Sequence, residues 1–345
     1  MNGCVLFLAV ISLLTIYSVK QSLFWQQAIW FGLVFLVIII FSQIDWRPLT
    51  NYRSIIFGIY IFSILLLVIT YFFAPTIRQT RSWLVFGPVQ FQTSELAKLG
   101  LVVLFSYFFA RRHVAIAHWH NLAIPFFYFL IPASLVLLQP DMGSTLILFG
   151  LWLGYLFISG IKKKHIAIGL VFFLLLGFWG WFGFLKDYQR ERIIGLFQPS
   201  YDPLGINYNV IQSKIAIGSS GWWGKGFQQG TQAQLGFLPE AATDFSFAAF
   251  TEEWGLVGAI LLVVVFGLLI FRIINVGLLS ENNFAKLVCL GTIIIFLLHF
   301  IFNIGSNIGL LPVIGLPLPF FSYGGSSLIV NALLIAMIQS FRVRL

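Results

Sequence analysis

Asp244 is the residue of this chain best placed to do chemistry. It stands in Leu238-Pro-Glu-Ala-Ala-Thr-Asp-Phe-Ser-Phe247, among apolar and aromatic side chains and just ahead of a long apolar run. A carboxylate shielded from water by such neighbours holds a proton more tightly and serves better as a general base. The same position suits an N-cap for the following helix, and the residues alone leave both roles open.

Other ionisable groups border or enter apolar runs, where a charge costs roughly 2.5–3.5 kcal/mol at mid-membrane on insertion scales. Glu95 and Lys98, in Ser94-Glu-Leu-Ala-Lys98, are three residues apart, so on a helix they share a face and can pair. Such a pair holds helices together, borders a cavity, or does both. Asp141, in Gln139-Pro-Asp-Met-Gly143, reads as a turn residue. Glu252 and Glu253 open a predicted span, where the helix dipole favours acids, and read as capping residues. His113, His118, His120 and His165 have no carboxylate partners in sequence and read as solvated interfacial residues, whereas His299, deep in an apolar run, reads as a packing histidine. Lys186, Arg190, Arg192, Lys214 and Lys225 share the polar segment of Asp244 and, with Arg78 and Arg81, could form an anion site. Cys4 and Cys289 sit in apolar runs and read as packing residues, with neither a disulfide nor a metal cluster expected.

The elements that position these groups are membrane spans. Of 345 residues, 59% are hydrophobic and 9% charged, against about 25% charged in soluble chains. Apolar runs mark ten helices, near 3–19, 24–43, 54–74, 93–110, 122–138, 143–159, 166–184, 255–273, 286–304 and 325–341. The first is expected to be a retained span, since no Lys or Arg precedes it and no cleavage site follows. The expected architecture is an all-α polytopic membrane protein, one domain over residues 1–345.

Charge orients the bundle. Arg47, Arg53, Arg111, Arg112, Lys162, Lys163, Lys164, Arg272, Lys286, Arg342 and Arg344 fall on one side, against Lys20, Arg78 and Arg81 in the short loops of the other. Eleven against three puts both termini in the cytoplasm. The net charge of +9 therefore reflects topology, and no nucleic-acid partner is expected.

Two segments break the pattern. The loop at 185–254 holds Asp187, Glu191, Asp202, Glu240, Asp244, Glu252 and Glu253, seven of the eleven acids, and the run Gly218-Ser-Ser-Gly-Trp-Trp-Gly-Lys-Gly226. Loops of this length are functional or disordered; its aromatic content predicts short helices and turns at the outer surface. Residues 305–324 alternate Gly and Pro with apolar side chains. Non-helical backbone at membrane depth survives only under cover of protein or along a wet cavity, so a re-entrant segment is expected there.

The motifs in these segments together resemble the SEDS family (shape, elongation, division and sporulation) over nearly the whole chain. They are Gln92-Thr-Ser-Glu-Leu-Ala-Lys98, Gln139-Pro-Asp-Met-Gly143, Gln212-Ser-Lys-Ile-Ala-Ile-Gly218, Gly224-Lys-Gly226 and Gly230-Thr-Gln232. They continue through Phe237-Leu-Pro-Glu240, Thr243-Asp-Phe245 and Glu252-Glu-Trp-Gly255 to Pro317-Leu-Pro-Phe-Phe-Ser-Tyr-Gly-Gly-Ser-Ser327. The Gly-Thr-Gln and Glu-Glu-Trp-Gly forms are more similar to RodA, the elongation member, than to FtsW, the division member.

The resemblance implies a peptidoglycan glycosyltransferase of the bacterial cytoplasmic membrane. It would polymerise lipid II at the outer face during elongation, with a class B penicillin-binding protein supplying the crosslinks. It places the essential acid on Asp244 and surrounds it with Glu95, Lys98, Asp141, Gln212, Ser213, Glu240 and Thr243. It implies a divalent cation, Mg2+ or Mn2+, of unknown ligands. Arg81, Lys98, Lys214 and Lys225 are candidates to neutralise a diphosphate. Three positions depart from the family: Ala242 where His is usual, Thr93 where Pro is usual, and Ile314 where Thr is usual. A lipid diphosphate is already a stable leaving anion, so one base suffices where glycosidases need two carboxylates. Two other functions fit the same residues, a lipid II flippase and a non-catalytic scaffold for the penicillin-binding protein. The polar features concentrate at 75–92, 139–143, 185–254 and 305–324, all on the outer side, which favours outer-face chemistry over translocation.

Overall fold

A computed structural model describes residues 1–77, 80–87, 89–111, 119–158, 187–198, 202–205 and 207–344, with a few single residues between 159 and 186. Apolar runs with little to interrupt them form α1 (Asn2–Val19), α2 (Gln21–Gln43), α3 (Arg53–Phe73), α4 (Thr93–Arg111), α5 (Trp119–Leu138) and α6 (Met142–Ile158). The polar segment folds into the short helices α7 (Asp187–Phe197), α8 (Tyr208–Gly218) and α9 (Thr231–Gln234), as its aromatic content predicts. Three long helices close the chain: α10 (Ser246–Leu279), α11 (Asn283–Asn307) and α12 (Gly325–Val343).

Seven of these helices are long and apolar enough to cross a membrane, and α5 and α6 hold shorter apolar stretches. Nine of the ten predicted spans thus fall on helices. The tenth, 166–184, lies outside the described residues but for a few single positions, and Arg78, Arg112, His113, His118, Lys162, Lys163, Lys164, His165 and Lys186 lie outside them too. An antiparallel hairpin of Trp83–Phe86 and Val89–Gln92, turning at Gly87, adds two strands to the helical fold expected and delivers the chain into α4.

Helix α4 is the buried axis, packed by α3, α6 and α11 and covered along almost its whole length. Helix α12 lies against α2. Arg47 donates to the Arg344 carbonyl at 3.1 Å and pairs with Asp45, while Arg111 donates to the Thr50 carbonyl at 2.7 Å, so three of the bases used to orient the chain meet at one end of the bundle. Asp244, the end of α11 and the start of α12 lie at the other end, since α12 runs from there back to Arg344.

Helix α10 starts nine residues before the predicted span and is broken at Gly255 (φ 70°, ψ −173°). There Leu256 and Val257 donate their N–H groups to the Gly221 and Trp222 carbonyls, and Lys225 and Gly226 donate to the Glu252 and Glu253 carbonyls. The Gly-rich run is wedged into the break. A methyl on Gly255 would meet the Trp222 carbonyl oxygen at 2.3 Å, so only glycine admits this crossing. Glu252 and Glu253 therefore end a helical piece and do not open one, contrary to the capping role expected for them.

Candidate functional site

Asp244 sits half-buried in a tight turn just before α10. Thr243 and Phe245 donate their N–H groups to the Glu240 carbonyl, and the Thr243 hydroxyl donates to the Glu240 carboxylate at 2.8 Å. The Asp244 carbonyl accepts from the side-chain amides of Asn303 (3.1 Å) and Asn307 (2.8 Å). These two residues and His299 recur every four positions along α11, so they share one face. That row was not singled out as functional from sequence, although polar residues four apart in an apolar helix are a visible signal.

The row organises the segment after α11. Asn303 donates to the Leu316 carbonyl at 2.8 Å, and His299 Nδ1 bonds to the Pro317 carbonyl at the same distance. Between α11 and α12 the backbone is irregular, with positive φ at Gly309, Gly315 and Phe320. Gly315 faces the acid: a methyl built on it would stand 3.9 Å from Asp244 Oδ2. Gly143, at the start of α6, lets the Ile314 carbonyl approach so closely that a methyl there would lie 2.6 Å from its oxygen. Ala242 is buried, and its carbonyl accepts from Tyr323 N at 2.9 Å, so the position that departs from the family lies against Ser322-Tyr323.

Glu95 and Lys98 form the predicted pair at 2.8 Å, with side chains only 3% and 1% exposed. Lys98 Nζ also lies 3.2 Å from His299 Nε2. His299 is therefore not simply a packing residue. Asp141 is a turn residue as expected, and more: its Oδ1 caps α6 by accepting from Ser144 N, and its Oδ2 accepts from Gln92 at 2.8 Å. Asp141 thus ties the hairpin to α6. On α8, Ser213 donates to the Asn307 carbonyl at 2.7 Å, with half-buried Gln212 beside it.

The cations divide into two groups. Lys225 is committed to Glu252 at 2.7 Å and to Thr231 at 2.8 Å. Fully buried Glu252 also accepts the N–H groups of Gln232 and Ala233, so it caps α9 instead of its own helix. Arg81 is exposed and donates to Thr76. Lys214 and Arg192 are exposed and line a cavity of about 80 Å³ with Asn207, Asn209, Gly309 and Val313. Arg192 donates to the Val313 carbonyl at 2.8 Å. Val313 of this basic cavity is two residues from Gly315, which faces the Asp244 carboxylate, so one segment of chain borders both.

Among the described residues no group of three His, Cys, Asp or Glu side chains could cage a metal ion. Mg2+ needs no such cage when substrate phosphates and waters complete its shell around one or two carboxylates. Glu240 and Asp244 share one tight turn and are the carboxylates on which such a shell would draw.

A family model described as "Cell cycle protein", covering FtsW, RodA and SpoVE, matches residues 2–344. The chain is 39% identical over 299 residues to the peptidoglycan glycosyltransferase MrdB of Escherichia coli K12, covering 87% of this chain and 79% of that one. It is 33% identical over 338 residues to MrdB of Helicobacter pylori J99, covering 96% and 86%. A solved chain from a peptidoglycan synthase complex, described by its coordination of polymerization and crosslinking, superposes with a TM-score of 0.84 at 32% identity over 99% of this chain and 97% of that one. The rod shape-determining protein RodA of Thermus thermophilus superposes with a TM-score of 0.74 at 27% identity, covering 99% and 96%.

Proposed function

The chain belongs to the SEDS family of FtsW, RodA and SpoVE, on its RodA side, and from that premise we propose that Asp244 is the general base of a lipid II polymerase. The protein is a multi-pass membrane peptidoglycan glycosyltransferase. Asp244 takes the proton from the 4-hydroxyl of the acceptor sugar as that oxygen attacks the donor anomeric carbon, with inversion. The bond to the lipid diphosphate breaks, and the diphosphate leaves with the electron pair.

The observation that carries this reading is the setting of Asp244. Its backbone is pinned by two asparagines, and its carboxylate faces a glycine, so no side chain of that segment stands before it. A base fixed in place reacts without first reorganising its surroundings. Lys214 and Arg192 supply positive charge beside the same segment, where a departing diphosphate would need it. Further neutralisation of that diphosphate is the chemistry a Mg2+ or Mn2+ held by Glu240, with water and the diphosphate itself, would supply when bound. We place Lys225 and Lys98 outside this role, because each is already paired with a carboxylate.

The basic end of the bundle supports cytoplasmic termini in the bacterial inner membrane, and so an outer-face site for elongation of the wall. The likeness to a chain from a synthase complex supports a class B penicillin-binding protein as the crosslinking partner. Purified protein, alone and with that partner, is given lipid II and glycan length is read on a gel. Polymer that disappears in a folded Asp244→Asn variant is the expected result. Normal polymer from that variant removes the base assignment, and lipid II crossing liposomes without polymerisation replaces the enzyme with a flippase.

A further inference from the structure

His299 links two parts of the site that are far apart in sequence. Its Nδ1 lies 2.8 Å from the Pro317 carbonyl oxygen, which can only accept, so Nδ1 carries the proton. Its Nε2 then offers a lone pair, and it lies 3.2 Å from the Lys98 ammonium, which can only donate. The partners thus assign one neutral tautomer. Lys98 is held on its other side by Glu95 at 2.8 Å. The result is a continuous buried row, from Glu95 through Lys98 and His299 to the backbone of the segment that faces Asp244.

We propose that His299 is a positioning residue: it anchors the Pro317 carbonyl to the rigid core around α4 and so holds Gly315 against the Asp244 carboxylate. The proposal rests on Asp244 as the base. Pro317 has no N–H of its own, and neither has Pro312 or Pro319. Such a stretch forms no ladder of its own, and the carbonyls of Val313, Leu316 and Pro317 are held by side chains. Asn303 holds the Leu316 carbonyl and His299 the next one. Without the bond at Pro317 the chain between its anchors at Val313, Leu316 and Leu318 loosens. The wall that Gly315 sets against the acid would then shift away from the sugar.

Two variants separate the halves of the bridge. The amide of His299→Asn falls where Nδ1 stood and keeps the bond to Pro317. The longer His299→Gln places its carbonyl where Nε2 stood and keeps the contact with Lys98. Steady-state polymerisation of lipid II is measured with hydrogen exchange at Leu318, next to Pro317, whose N–H is held by the Ser322 hydroxyl at 2.9 Å. We expect His299→Asn to retain kcat and Leu318 protection, and His299→Gln to lose about tenfold in kcat at unchanged KM, the scale of one buried hydrogen bond, with faster exchange at Leu318.

Full activity and protection in His299→Gln would overturn the proposal, as would equal losses in both variants. His299→Phe, if it folds, should behave like His299→Gln. The exchange measurement stays decisive if the Asp244 assignment fails, because it reports the position of the strand and not the chemistry.

Discussion

Asn307 donates its side-chain amide to the Asp244 carbonyl at 2.8 Å while its side-chain oxygen accepts from Ala248 N at 3.1 Å. One residue at the end of α11 therefore clamps the acid and caps α10, whose own N-cap, Phe245, has no side chain that could do so. Asn307→Ala would strand a buried N–H and weaken the hold on the acid, at about 1–3 kcal/mol for the unsatisfied group. Thermal unfolding in detergent should show a lower midpoint. Polymerisation should fall further than the loss of folded protein explains.

The pair of Glu95 and Lys98 predicts an asymmetry between single and double changes. Lys98→Met alone leaves a buried carboxylate without its partner, and such breaks cost about 3–5 kcal/mol. Lys98→Met with Glu95→Leu removes both charges and should recover much of the lost midpoint, because two apolar side chains suit that interior. If the double variant unfolds as readily as the single one, the pair has a role beyond mutual neutralisation.

Two glycines separate structure from activity. Gly255→Ala places a methyl 2.3 Å from the Trp222 carbonyl oxygen at a residue with φ of 70°, and should cost about 3 kcal/mol or more, seen as loss of folded yield. Gly315→Ala also has positive φ, but its methyl meets only Asp244 Oδ2, at 3.9 Å. It should fold with a modestly lower midpoint and lose most polymerase activity, since the methyl then stands before the acid.

The two groups of cations should respond differently in kinetics. Lys214→Ala and Arg192→Ala should each weaken lipid II use by about tenfold in kcat/KM, the scale of one charge-assisted contact, with unfolding nearly unchanged. Lys225→Ala leaves Glu252 buried without its cation. It should lower the unfolding midpoint while kcat/KM of the folded fraction is retained. An unchanged midpoint with raised KM would return Lys225 to the diphosphate site.

At the opposite end of the bundle, the hydrogen bonds from Arg47 hold the Asp45 carboxyl below its ordinary value. A depressed acid stabilises the fold above the unfolded value of about 3.9, and that contribution is lost as pH falls through the folded value. Asp45→Asn should flatten the acid limb of an unfolding-versus-pH curve. Because the pair is partly exposed, the difference should also shrink in high salt.

Much of this architecture is legible in residue order. Periodicity is unnecessary where nearly every residue of a run is apolar, so 54–74 and 255–273 read as spans directly. The spacing of Glu95 and Lys98 anticipates their pairing, because a helix brings such neighbours together whatever surrounds it. Prolines and glycines after Asn307 forbid a continuous helix for equally local reasons.

Tertiary contacts decided the rest. Glu252 caps a helix 20 residues earlier in the chain, and α10 breaks at Gly255 because a remote glycine-rich loop supplies carbonyls at that point. His299 changes from filler to hydrogen-bonding bridge only once Lys98, 201 residues away, is brought beside it. Local sequence sets what a backbone segment can do by sterics and solvation. Which buried donor meets which acceptor depends on how helices distant in the chain pack.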